Sequence, residues 1–135
     1  MGAHADLTRE WIGAFNARDM EALVAYATDD VEWVVAREHP AATTHRGPKA
    51  VLAYMEDWLR TMPDLQLEID ELQEAGNQVL MVGRVRGAGA GSGAATGVSL
   101  CTLGTFDGDK AVRLEEFLDP ATARAEFERR TAAPQ

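Results

Sequence analysis

The sequence predicts an α+β fold: a cone-shaped, curved and mostly antiparallel sheet, with three helices from the N-terminal half on one face enclosing a pocket. Three observations predict it. Segments with apolar residues at helical spacing fill the first half of the chain, segments alternating apolar with polar residues fill the second, and glycine-bearing turns separate several of those strands. A chain of 135 residues is enough for one domain with a real core, expected to span 1–135 with 1–5 and 131–135 frayed.

Taken in order, Asp6 or Thr8 can cap a first helix carrying Leu7, Trp11, Ile12, Ala14 and Phe15. Asp19 can cap a short second helix with Met20, Leu23, Val24 and Ala27 inward. Val31 to Val35 is β-branched and aromatic and reads as a strand. Ala36 to Arg46 has no clear period and reads as loop, with a short strand before Gly47. Gly47-Pro48 then opens a long helix through Val51, Leu52, Met55, Trp58, Leu59 and Met62, and Pro63 helps to stop it. Leu65, Leu67 and Ile69 alternate with Gln66, Glu68 and Asp70, and Gly76-Asn77 turns that strand into Val79–Arg86. Gly87 to Gly97 reads as a mobile hairpin connection rather than a phosphate-cradling loop, because a strand and not a helix follows it. Val98 to Phe106, the Asp107-Gly108-Asp109 turn, Ala111 to Leu118 and a polar helix from Pro120 to Arg130 complete the chain.

Composition narrows the function. Thirteen Lys and Arg against 22 Asp and Glu give a net charge of −9, which argues against nucleic acid or an anionic membrane as the main partner. Cys101 is the only cysteine, so an internal disulfide and a cysteine zinc cluster are excluded, and a cytoplasmic setting is the simplest expectation. No His, Asp or Glu spacing matches a metal set; no metal and no cofactor are expected.

The candidate site comes from two strands. Leu80, Val82, Arg84 and Arg86 should share one face of their strand, and Val112, Leu114, Glu116 and Leu118 one face of theirs. Each face begins apolar and then carries charge, which is costly to bury unless it is matched. The expectation is that the two faces adjoin across one apolar cavity, where Arg84 and Arg86 meet Glu116 and hold or polarise a small, largely apolar molecule with an anionic or carbonyl end. A structural ion pair of the same three residues is the plain alternative. Trp11, Phe15, Trp33, Val35, Tyr54, Trp58, Val82, Leu100, Thr102 and Leu114 are the candidate lining, with core packing as the competing role of the aromatic residues. His39 and His45 are candidate acids or bases, or solvated loop residues. The face bearing Ser99, Cys101, Leu103 and Thr105 is a candidate homodimer surface anchored by Leu103 and Phe117.

The order of elements, Phe15-Asn16-Ala17-Arg18-Asp19, His45-Arg46-Gly47 and Glu115-Glu116-Phe117-Leu118-Asp119-Pro120 together resemble the SnoaL-like branch of the nuclear-transport-factor-like cone folds. Arg84-Val85-Arg86, Leu103-Gly104-Thr105-Phe106 and the closing strand are similar to limonene-1,2-epoxide hydrolase. That resemblance implies a bridging arginine at Arg84 and a water-activating carboxylate at Glu116. It also puts Arg86 where that family has a proton-donating aspartate, and Trp33 and Val35 where it holds water with tyrosine and asparagine. The ketosteroid isomerase pattern fits less well, its key groups falling on Trp11, Val35 and Thr102. Two classes follow: a small-molecule enzyme doing epoxide opening, cyclisation or isomerisation, or a non-catalytic ligand-binding or dimerisation module on the same scaffold.

Overall fold

Residues 2–37, 42–87 and 96–132 of the computed structural model are described. Helix α1 (Ala3–Asn16) buries Ala5, Thr8, Trp11, Ile12 and Phe15, spaced three or four apart so that they form one stripe. It begins within the five residues expected to fray, because the Glu74 side chain accepts from the Ala5 N–H at 2.7 Å and ties the first turn to the sheet. Asp19 caps α2 (Met20–Ala25) as expected, its carboxylate accepting from the Ala22 N–H at 3.1 Å. Between the two helices, Asn16 reaches across to strand β3 (Gln66–Ala75), accepting from the Leu67 N–H at 2.8 Å and donating to its carbonyl at 2.9 Å. Arg18 donates to the carbonyls of Phe15, Pro63 and Leu65 at 3.1, 2.9 and 2.7 Å. The Asn16-Ala17-Arg18 stretch is thus a clasp between the helical hairpin and the start of the sheet.

Strand β1 (Ala27–Val34) is longer than its β-branched centre suggests, and β2 (Thr44–Arg46) is the short strand before Gly47. Helix α3 (Pro48–Thr61) starts on its proline and stops before Pro63. Strands β4 (Gln78–Gly87), β5 (Thr96–Asp107) and β6 (Lys110–Phe117) follow, and the glycines at 76 and 108, with φ of 60° and 61°, turn two of the hairpins in the left-handed region that side chains disfavour. Helix α4 (Pro120–Thr131) ends the described chain. The six strands form one sheet in the order β2-β1-β6-β5-β4-β3, antiparallel except for β1 beside β6. Irregular registers in β3–β4, β5–β6 and β1–β6 give the sheet places to bend. The glycine-rich connection falls largely on residues 88–95, outside the described residues.

The sheet buries both faces, and the alternation of side chains decides which residue goes where. Trp11, Phe15, Trp33, Val35, Met55, Val79, Met81, Leu100 and Leu114 pack together between the sheet and helices α1 to α3. Leu80, Val82, Cys101 and Leu103 pack on the other side against Ala123 and Phe127 of α4. This corrects two expectations. Val82 belongs to the α4 side and lines no pocket beneath the other helices. Leu103, expected as a dimer anchor, is fully buried under α4, and Cys101 with it. The closing helix looked polar because only Ala123 and Phe127 of its residues are buried, yet those two cover the face.

Candidate functional site

The same alternation separates the three charged residues of the expected site. Arg84 lies opposite Ser99 and Arg86 opposite Gly97, on the α4 side of the sheet; Glu116 lies opposite Thr102, which lies opposite Met81, on the side of α1 to α3. Arg84 donates through Nε and Nη2 to both Asp70 carboxylate oxygens at 3.0 Å, and Arg86 pairs with Glu68 at 3.4 Å. Both arginines are well exposed, and Asp70 beside Arg84 raises its already high pKa further. They form the surface ion pairs of the plain alternative, on neighbouring strands, with different partners from the one predicted. The bridge between Arg84 and Glu116 implied by the epoxide hydrolase resemblance does not form. The error was one of relative face: Leu114 and Glu116 share a face as expected, although an irregular register parts Val112 from them, but Glu116 pairs in register with even-numbered Thr102 while Arg84 pairs with odd-numbered Ser99.

Glu116 is instead held by neutral donors. It is 6% exposed, and its Oε2 accepts from the Trp33 indole N–H and from the Tyr54 hydroxyl, the latter at 2.7 Å. The Ala36 N–H stands 3.5 Å from the other oxygen, Oε1, at the limit of hydrogen bonding. Among the described residues no Lys, Arg or His side chain forms an ion pair with it. Trp33 reaches it because β1 lies beside β6 with Trp33 opposite Leu114, and Tyr54 reaches it from the face of α3 turned to the sheet. Burial, then the Glu116 charge and hydrogen bond, push the Tyr54 phenol far above its ordinary pKa, while Trp58 pulls the other way more weakly. Tyr54 therefore keeps its proton.

Around this carboxylate the aromatic residues form one continuous cluster. Trp33, Tyr54 and Trp58 stand with ring centroids 5.0 to 6.2 Å apart, mostly edge to face. Phe15 packs on Trp58, Trp11 on Trp33, and His45 stacks on the outer side of Tyr54 at 4.5 Å. Thr102, Leu100, Val35 and Leu114 are the buried neighbours of the cluster on the sheet side. Val98 pairs in register with Val85 and is 57% exposed, marking where this side of the sheet meets solvent. His39 lies outside the described residues.

A small cavity of about 30 Å³ lies between α2, α3 and β1, bordered by Trp11, Trp33, Val51, Met55 and Leu114. Phe15, Val35, Tyr54, Trp58, Leu100 and Thr102 do not border it. Of the rings around Glu116, those of Tyr54, Trp58 and His45 are half-buried. The sequence named Trp33 and Tyr54 as lining and missed them as donors. The available signal was that a buried indole or phenol needs an acceptor, and Glu116 was the inward acceptor at hand.

An α+β cone with a buried carboxylate, Glu116, under its helices places the chain in the class of cone-fold small domains. The chain belongs to the SnoaL-like family, whose domain model matches residues 8–114. No curated protein matches the sequence. Among solved structures it is similar to an NTF2-like protein of unknown function from Burkholderia pseudomallei, at 24% identity and a TM-score of 0.77 over 98% of this chain and 100% of that one. It is also similar to a putative SnoaL-like polyketide cyclase from Jannaschia, at 17% identity and 0.76 over 98% and 94%. A third is a protein of ketosteroid isomerase-like fold from Catenulispora acidiphila in complex with trimethylamine, at 16% identity and 0.74 over 95% and 93%. Likeness at these identities establishes the fold.

Proposed function

We propose that this protein is a small-molecule enzyme of the cyclase or isomerase kind, in which Glu116 takes a proton from a carbon or oxygen of a largely apolar substrate and Tyr54 holds the base in place. The observation that carries this reading is the buried Glu116 carboxylate, met by two neutral donors on Oε2 while Oε1 has, among the described residues, only the Ala36 N–H at 3.5 Å. A base needs a free lone pair within reach of the substrate and a neighbour that fixes its direction. A structural carboxylate would instead have its partners saturated. Membership of the SnoaL-like family and the putative cyclase among the fold relatives support an enzyme of this kind. Epoxide opening with an arginine bridge loses its support, since Arg84 and Arg86 sit on the other side of the sheet. The alternative is a non-catalytic ligand-binding or dimerisation module on the same fold, in which the rings packed around Glu116 serve as core.

Exchange of carbon-bound hydrogen in D2O, followed by mass spectrometry across a panel of flat ketones and β-dicarbonyl compounds, separates the two. The proton-transfer reading expects exchange by the wild-type chain and loss of roughly 100-fold or more in Glu116→Gln. Ligands that bind without exchange, or exchange unaltered in Glu116→Gln, would overturn it.

A further inference from the structure

We infer that the Glu116 site takes a ligand bearing a methylated ammonium group, bound against the half-buried rings of Tyr54 and Trp58. The inference shares Glu116 with the proton-transfer reading and adds the charge of the ligand to it. It begins from an imbalance. A carboxylate that is 6% exposed is costly to desolvate unless a positive charge or a full set of donors compensates it. Trp33 and Tyr54 satisfy Oε2, but among the described residues Oε1 has only the distant Ala36 N–H, and no described side chain supplies a cation. Arg84 and Arg86, the cations the sequence offered, are committed to Asp70 and Glu68 on the opposite face.

The surroundings of that carboxylate are suited to a cation without N–H groups. Indole and phenol faces attract positive charge, indole most strongly, and the attraction grows when water is excluded. Tyr54 and Trp58 are half-buried, so a guest can reach them from solvent with modest rearrangement, while Trp33 is fixed beneath. A methylated ammonium matches the set on three counts. Its methyl groups bury apolar surface against the rings, its charge balances Glu116 through space, and it makes no demand for acceptors that the cluster lacks. A primary ammonium would bring three donors to a site with little more than Oε1 to receive them. The net charge of −9 favours the approach of a cation over an anion.

The test uses the full chain and an isosteric pair, choline and 3,3-dimethylbutan-1-ol, which differ in charge and hardly in shape. Binding is followed by tryptophan fluorescence and by calorimetry. Choline is expected to bind saturably, at least about tenfold more tightly than the neutral alcohol. Glu116→Gln should erase that preference, and Trp58→Leu, whose fold is checked by circular dichroism, should weaken choline several-fold on its own. Equal affinity for the two probes, no saturable choline binding by folded wild type, or an undiminished preference in Glu116→Gln would each overturn the inference. The two proposals fail separately: choline binding without hydrogen exchange on any substrate sinks proton transfer alone, and exchange without choline binding sinks the cationic ligand alone.

Discussion

Glu115 and Glu116 are consecutive, equally acidic and almost equally buried, at 7% and 6% exposure, yet they face opposite sides of one strand and meet opposite chemistry. Glu115 is saturated with charge. Arg130 of α4 grips both its oxygens in a fork, with the Nη2 to Oε1 contact at 2.9 Å, and Arg113 stands 3.7 Å away. Among the described residues, Glu116 has two aromatic donors on one oxygen and only the distant Ala36 N–H on the other. A carboxylate paired like Glu115 joins α4 to the sheet, with both oxygens held by a guanidinium. A carboxylate held like Glu116 is positioned and remains available. Burial alone cannot tell a structural acid from a functional one; the charge of its partners and how they divide between the two oxygens can.

The largest expected effect comes from removing the available carboxylate. Glu116→Gln should cost roughly 100-fold or more in turnover, with a small change in melting temperature, as measured on one preparation. Glu115→Gln should do the reverse, keeping turnover and losing ~1–3 kcal/mol in urea unfolding, the usual cost of a broken hydrogen bond to a charged group. Phe127→Ala removes the main apolar contact of α4 and should lower stability by ~3–5 kcal/mol in the same unfolding assay. Tyr54→Phe removes one donor to Glu116 while keeping the ring. Roughly a tenfold drop in turnover is expected from the loss of a hydrogen bond to a charged group, seen in kcat more than in KM.

Acid should act on the Glu115 side first. Hydrogen bonds from Arg129 and Arg130 hold Glu126 down to about 2 from 4.5, and Arg124 lowers Glu71 while Thr122 lowers Asp119. Each of these carboxyls lies in α4, caps it or pairs with it. A depressed carboxyl contributes its stability above its unfolded-state value and loses it as pH falls through the folded one. Stability should therefore be full above about pH 4.5 and decline towards pH 2, with hydrogen exchange rising first in α4. The smallest effect is expected from Arg84→Leu and Arg86→Leu, which remove exposed surface pairs and should leave melting temperature and turnover nearly unchanged.

Most of the fold was legible in the sequence because its signals are local. Pro48 after Gly47, Asp19 before Met20, and the alternation from Leu65 to Ile69 each state an element without reference to the rest of the chain. The candidate site was legible residue by residue: Glu116, Trp33, Tyr54, Trp58 and His45 were all named, and the structure brings those five together. Their partners were not legible. Whether Arg84 shares a side with Glu116 depends on the register of β4 on β5 and of β5 on β6, and a shift of one residue in either reverses the answer. The cover over Leu103 was hidden for a related reason, since two buried residues in a charged helix leave too faint a pattern to predict a docked face.

One comparison bears on all of this most directly: Glu115→Gln and Glu116→Gln, purified side by side, each measured for urea midpoint and for hydrogen exchange on the same substrates. A lower midpoint with intact catalysis in the first, and an intact midpoint with lost catalysis in the second, is the predicted result. Equal losses of both properties in the two variants would contradict the assignment of Glu116 as the working carboxylate and leave both glutamates as parts of the scaffold.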